Sequence, residues 1–165
     1  MQPSEALGIT AQIAVALAGF AGVVVAFRSD SVHERQTIDK MRLRLLLNNS
    51  LVPLILCLLA LFLVSVHQVW TWRVCSALAL VLTIAIGIVM SRGRASSPRE
   101  LKLGRGSKVL FFSFSVLGIV AMILQIYNLA VLNAFWPFYA TVLFQLITGA
   151  VQFVRLILIQ PEPSG

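Results

Sequence analysis

Four long stretches of this sequence contain no charged residue, and their length limits what the chain can fold into. They cover residues 6–27, 45–72, 74–91 and 109–154. An α-helix rises about 1.5 Å per residue and the hydrocarbon core of a bilayer is about 30 Å thick, so about 20 apolar residues make one crossing. The sequence therefore predicts an all-α, polytopic transmembrane helical bundle.

The last stretch is too long for one crossing and must turn back. Polar residues and a proline gather between Asn128 and Pro137, and proline is favoured in the first turn of a helix, where its missing N–H is not needed. Five spans are thus predicted, at about 6–27, 45–69, 73–91, 109–130 and 136–159. A four-span alternative would merge the second and third spans, but this would place the charged Arg73 within an apolar crossing.

A helix is also expected to run into the second span from the connection before it. Ile38, Met41 and Leu45 recur there at helical spacing. Ser31 and Glu34 upstream have the spacing of a capping box, in which a hydroxyl and a carboxylate satisfy unpaired backbone N–H groups at a helix start.

The composition supports the membrane interpretation. Apolar residues make up 59% of the chain and charged residues 12%, with a mean hydropathy of +0.92, which is far from the balance of soluble domains. Its 165 residues leave little room outside the spans, so a single transmembrane domain over 1–165 is predicted. The net charge of +7 would suit a nucleic-acid partner in a soluble chain, but here we expect no nucleic acid.

The basic residues predict the orientation. Five Lys or Arg residues lie between the first and second predicted spans, and six lie between the third and fourth. Such connections stay in the cytoplasm, which places the amino terminus outside and the carboxyl terminus in the cytoplasm. Membrane lipids are the expected partners, with anionic headgroups near Arg92–Lys108. Small size and simple organisation favour a bacterial inner (cytoplasmic) membrane.

Small side chains recur every four residues along the first span. In lipid, helices associate where small residues let backbones approach and where polar side chains hydrogen-bond. This ridge therefore predicts a helix clamped within the bundle or at an oligomer interface, and a sliding or gating helix is the alternative. The helix-packing residues are Thr10, Ala14, Ala18, Gly22 and Ala26.

A polar stripe marks the fifth span, and the third and fourth spans have polar faces that match it. Polar groups facing lipid would lack partners, so these side chains should point inward. They are predicted to form interhelical hydrogen bonds or, alternatively, to line a narrow polar path. The candidates are Gln125, Asn128, Thr141, Gln145, Thr148 and Gln152.

The chemistry of an enzyme or a pump is missing from the predicted spans. They contain no Asp, Glu or Lys, and the chain has only two histidines and two isolated cysteines, too few for a haem or zinc site. No catalytic motif is found, so we expect no enzyme, cofactor or metal.

The favoured hypothesis is a small non-catalytic protein with a structural or interaction role, as a subunit of a membrane complex or a self-associating bundle. A homo-oligomer and a membrane-protein partner both remain open. The alternative is a small channel or uncoupled transporter that uses the polar faces of spans three to five.

Overall fold

The computed structural model describes residues 2–28, 36–66, 69–95 and 105–158, with side chains over 2–23, 46–66, 69–89 and 112–154. These residues are helical apart from short turns, and no strand occurs among them. The helices are α1 (Pro3–Arg28), α2 (Gln36–Ser65), α3 (Thr71–Ala95), α4 (Arg105–Tyr127), a π-helical segment (Asn128–Leu132) and α5 (Phe135–Leu158).

Five of the described segments are long and apolar enough to cross a membrane. They are Pro3–Val23, Leu46–Ser65, Thr71–Val89, Phe112–Leu132 and Phe135–Val154. The all-α class and the five helices of spanning length are therefore confirmed. The fourth and fifth helices separate at Asn133 and Ala134, inside the polar region where the sequence predicted the break.

The second helix begins well before its apolar stretch. It runs without interruption from Gln36 into Leu46–Ser65, as the helical spacing of Ile38, Met41 and Leu45 predicted. The proposed capping residues Ser31 and Glu34 lie outside the described residues.

The chain divides into two compact units. The terminal unit comprises Met1–Leu58 and Gln145–Gly165, and the central unit comprises Leu59–Phe144. Helices α2 and α5 each contribute residues to both. A single domain over 1–165 stays a prediction.

The terminal unit packs α1, the first part of α2 and most of α5. Its core is formed by Ala21 and Leu46, with Leu17, Leu47 and Phe153 packed against them. The central unit packs α3 against α4 and the π-helical segment. Its largest fully buried side chain is that of Phe138.

Large apolar side chains also cover the outside of the helices. Phe62, Val81, Phe112 and Ile123 are each 60% or more exposed. Exposure of so large an apolar surface to water is unfavourable, whereas contact with lipid tails is not. The exposed apolar side chains therefore agree with helices that are long and apolar enough to cross a membrane.

Candidate functional site

The densest polar contacts in the central unit surround Asn128, the first residue of the π-helical segment. Its Nδ2 donates to Ser76 Oγ on α3 at 2.7 Å and to the Ala134 carbonyl at 3.0 Å. Its Oδ1 accepts from the Ala134 backbone N–H at 2.9 Å. The side chain is fully buried, so one amide holds the end of α4, the start of α5 and the face of α3 together.

The backbone at this junction turns sharply. The Asn133 N–H donates to the Asn128 carbonyl at 3.0 Å, five residues back, and Asn133 is left-handed with φ 47° and ψ 47°. Asparagine tolerates this conformation better than most residues. Its Nδ2 also donates to the Val69 carbonyl at 3.0 Å, so the turn is attached to the chain segment before α3.

Gln125 extends the network one turn earlier on α4. Its Nε2 donates to the Pro137 carbonyl at 2.7 Å and to Thr141 Oγ1 at 2.5 Å, and the Thr141 hydroxyl itself donates to the Pro137 carbonyl at 3.3 Å. Gln125 and Thr141 are almost completely buried. The Gln125 Oε1 atom is also buried but has no hydrogen-bond partner within the described part of the chain.

Aromatic side chains lie at the same end of the helices. Trp72 packs against Phe135 and Phe138, with ring centroids 5.0 and 6.2 Å apart, and Phe135 stacks on Tyr139 at 5.0 Å. The Arg73 guanidinium lies 5.6 Å from the ring centroid of Trp70, in reach of a cation–π interaction. Arg73 thus lies against an aromatic ring at this end of the helices.

The other members of the predicted stripe belong to the terminal unit. Gln145 is buried there, whereas Thr148 and Gln152 are half-buried. The network of the central unit thus contains Gln125, Asn128 and Thr141 of the six predicted polar candidates. Two further residues complete the network: Ser76, from the polar face predicted for the third span, and Asn133, from the predicted break between the fourth and fifth spans.

The small-residue ridge of α1 is buried only in its first half. Thr10 and Ala14 are fully buried and Ala18 is half-buried, but Gly22 is exposed; the side chain at Ala26 lies outside those described. A four-residue step exceeds the 3.6-residue turn, so the ridge rotates about 40° around the helix at each step. The buried face instead follows Leu7, Ala14 and Ala21 at seven-residue spacing.

A close helix approach in the terminal unit lies at Gly149 of α5, which the sequence did not single out. A Cβ at Gly149 would lie 3.0 Å from Leu17 Cδ2 and 3.3 Å from the Asn49 carbonyl oxygen. Pro53, inside α2, has no N–H to donate to that carbonyl four residues back. The missing side chain of Gly149 therefore makes room for a carbonyl that the helix cannot bond.

The described residues contain no group of three His, Cys, Asp or Glu side chains that could hold a metal ion. Cys57 and Cys75 are buried and are not joined in a disulfide. The polar network of the central unit consists of neutral amides, hydroxyls and carbonyls, which donate and accept hydrogen bonds.

Comparison with models of known protein families, with curated proteins and with solved structures finds no match.

Proposed function

We propose that this chain is a small non-catalytic integral membrane protein with a structural or interaction role, as a subunit of a membrane complex or as a self-associating protein. One observation carries this proposal: the inward polar groups of the central unit bond to one another. Asn128 forms three hydrogen bonds to Ser76 and Ala134, and Gln125 forms two to Pro137 and Thr141.

Hydrogen bonds of this kind stabilise contacts between helices in lipid, at about 0.6 kcal/mol each on average. A conduction path needs the reverse arrangement, in which amides and hydroxyls remain available to a passing solute. Asn128 has no N–H left to donate to a solute, because both of its side-chain N–H groups are already used. Its geometry thus favours the structural role.

The proposal includes a location and an orientation. The one-sided placement of basic residues supports an amino terminus outside and a carboxyl terminus in the cytoplasm, in a bacterial inner membrane. Membrane lipids are the proposed partners, with anionic headgroups at Arg92–Lys108, together with another membrane protein or a further copy of the chain. We propose no nucleic-acid partner, cofactor or catalytic activity.

A small channel or uncoupled transporter is the second candidate, and one atom favours it. The buried Gln125 Oε1 has no hydrogen-bond partner among the described residues. Leaving a buried acceptor unpaired costs about 1–3 kcal/mol, and a water molecule would remove that cost. Water at Gln125 would be the first step of a polar path through the third to fifth helices.

Flux through reconstituted vesicles separates the two proposals. Purified protein is incorporated into liposomes, and the entry of water, small ions and small neutral solutes is compared with that into protein-free liposomes. The structural role predicts no difference. The channel predicts flux that Gln125→Leu abolishes, because leucine removes the polar group from the path.

The matched control is Ser113→Leu, which changes an exposed polar side chain on the same helix. Both variants must elute from size-exclusion chromatography like the unmodified protein. Protein-dependent flux that Gln125→Leu removes and Ser113→Leu retains would overturn the structural proposal.

A further inference from the structure

One polar side chain lies on the outside of α1, in the middle of its apolar span. Gln12 is exposed and stands more than two helical turns from either end of Pro3–Val23. Its amide forms no hydrogen bond to another residue that the structure describes. At this depth a bilayer offers neither water nor headgroups, so the amide needs a partner from outside the protomer.

The surroundings of Gln12 suit close approach by another helix. Gly8, Gln12, Val15, Gly19 and Gly22 follow one another at alternating steps of four and three residues. This 3.5-residue repeat keeps them within a strip about 80° wide, the arrangement of a seam between two paired helices. We call this strip the Gln12 seam.

No described atom of the protomer packs against the glycines of the seam. A Cβ built at Gly8, Gly19 or Gly22 would meet nothing within 4 Å. The absence of side chains there therefore does not serve packing inside the protomer, in contrast to Gly149. It leaves a shallow, smooth surface beside the unpaired amide, of the kind at which membrane helices pair.

A second copy of the chain fits this surface best. All copies enter the membrane in the same orientation, so two α1 helices side by side place their Gln12 residues at the same depth. An amide both donates and accepts, so two Gln12 side chains related by a two-fold axis form two reciprocal hydrogen bonds. A different protein would need a matching polar group at the same depth.

We propose that the Gln12 seam is the interface of a parallel homodimer. Two α1 helices pack along Gly8, Val15, Gly19 and Gly22, and the two Gln12 amides bond to each other at its centre. This inference rests on the proposed interaction role and names its partner. The interface differs from the buried line of Leu7, Ala14 and Ala21, which packs within the protomer.

The first test measures dimer fraction in liposomes at decreasing protein-to-lipid ratios, by single-molecule photobleaching of labelled protein. We expect a dimer whose dissociation constant rises about tenfold in Gln12→Leu. The variant loses two hydrogen bonds, and each lowers the dissociation constant of the unmodified dimer about threefold. Gly19→Leu should abolish the dimer by holding the helices apart. Gln12→Asn, which keeps the amide, should retain more dimer than Gln12→Leu.

The matched control is Gly87→Leu. Gly87 is also an exposed helical glycine with nothing within 4 Å of its added Cβ, but it lies on α3. It should leave the dimer fraction unchanged. A dimer that survives both Gln12→Leu and Gly19→Leu, or one that Gly87→Leu disrupts as strongly, would contradict the proposed interface.

Cysteine cross-linking tests the geometry independently. Val15→Cys lies on the seam and Ile13→Cys lies off it, at positions 54% and 53% exposed. Oxidation should join two copies through position 15 and not through position 13. Stronger cross-linking at position 13 would overturn the proposal.

The outcomes also separate this inference from the proposed function. A monomer at every protein-to-lipid ratio would overturn the homodimer. If that monomer binds a different membrane protein and Gly19→Leu releases it, the seam serves another partner and the interaction role stands. The interaction role itself would be contradicted by solute flux that depends on the protein and that Gln125→Leu removes.

Discussion

At the scale of single residues, Asn128 shows how much one side chain contributes where one helix ends and the next begins. The backbone N–H and carbonyl of Ala134 lie just before α5, where the N–H is outside regular helix. The Asn128 amide pairs with both and still reaches Ser76 on α3. A residue with only one donor or one acceptor could not replace it.

Asn128→Ala should lower the free energy of unfolding by about 2–4 kcal/mol, because it removes three hydrogen bonds and leaves the part-buried Ala134 backbone N–H unpaired. Reversible unfolding in mixed micelles with increasing dodecyl sulfate measures the change. Ser113→Ala, at an exposed serine of α4, should cost less than about 0.5 kcal/mol. Equal losses in the two variants would show that the Asn128 contacts contribute no stability.

Sequence analysis named Gln125, Asn128 and Thr141 because polar residues in a span must find partners inside the protein. It did not give the pairing, since that depends on the register between helices. Nor did it foresee the π-helical segment or the left-handed Asn133, because both follow from how the turn closes and not from a local pattern.

At the scale of helices, the contrast between α1 and α5 explains which small residues matter for packing. A four-residue repeat was easy to recognise in α1, but its rotation around the helix takes Gly22 to the exposed surface. Gly149 does not belong to a four-residue repeat of small side chains, so no sequence pattern singles it out. Its importance depends on Pro53 and Asn49 in a different helix, which only the packed structure brings close.

Gly149→Leu should destabilise the protein by about 1–3 kcal/mol, because the new side chain must displace Leu17 and the Asn49 carbonyl. Gly87→Leu serves as the control, since it gains the same side chain in open space. The same unfolding titration compares them. If the two variants lose equal stability, the approach of α2 and α5 at Gly149 is not a tight one.

At the scale of the whole molecule, the helix count follows from hydropathy, because bilayer thickness sets the length of each span. The relative arrangement of the helices does not. Their outer faces are nearly as apolar as their inner ones, so hydropathy gives little indication of which face meets a neighbour. The exposed Phe112 and the buried Phe138 illustrate this ambiguity.

An odd number of spans places the two termini on opposite sides of the membrane, and the basic connections predict which is which. A protease-cleavable tag ahead of Glu5 should be cut by protease added to cells whose outer membrane has been removed and whose inner membrane is intact. A tag inserted between Ser97 and Gly104 should be cut only after the cells are opened. The reverse pattern would invert the orientation without changing the number of spans.

The short connection between α4 and α5 also constrains how the chain enters a membrane during synthesis. Only Asn133 and Ala134 separate the π-helical segment from α5, too few residues to leave one helix in place while the next arrives separately. The two helices are therefore expected to insert as a preformed hairpin. The bonds from Asn128 to Ala134 lie within that hairpin, so they need no contact from α3 to form.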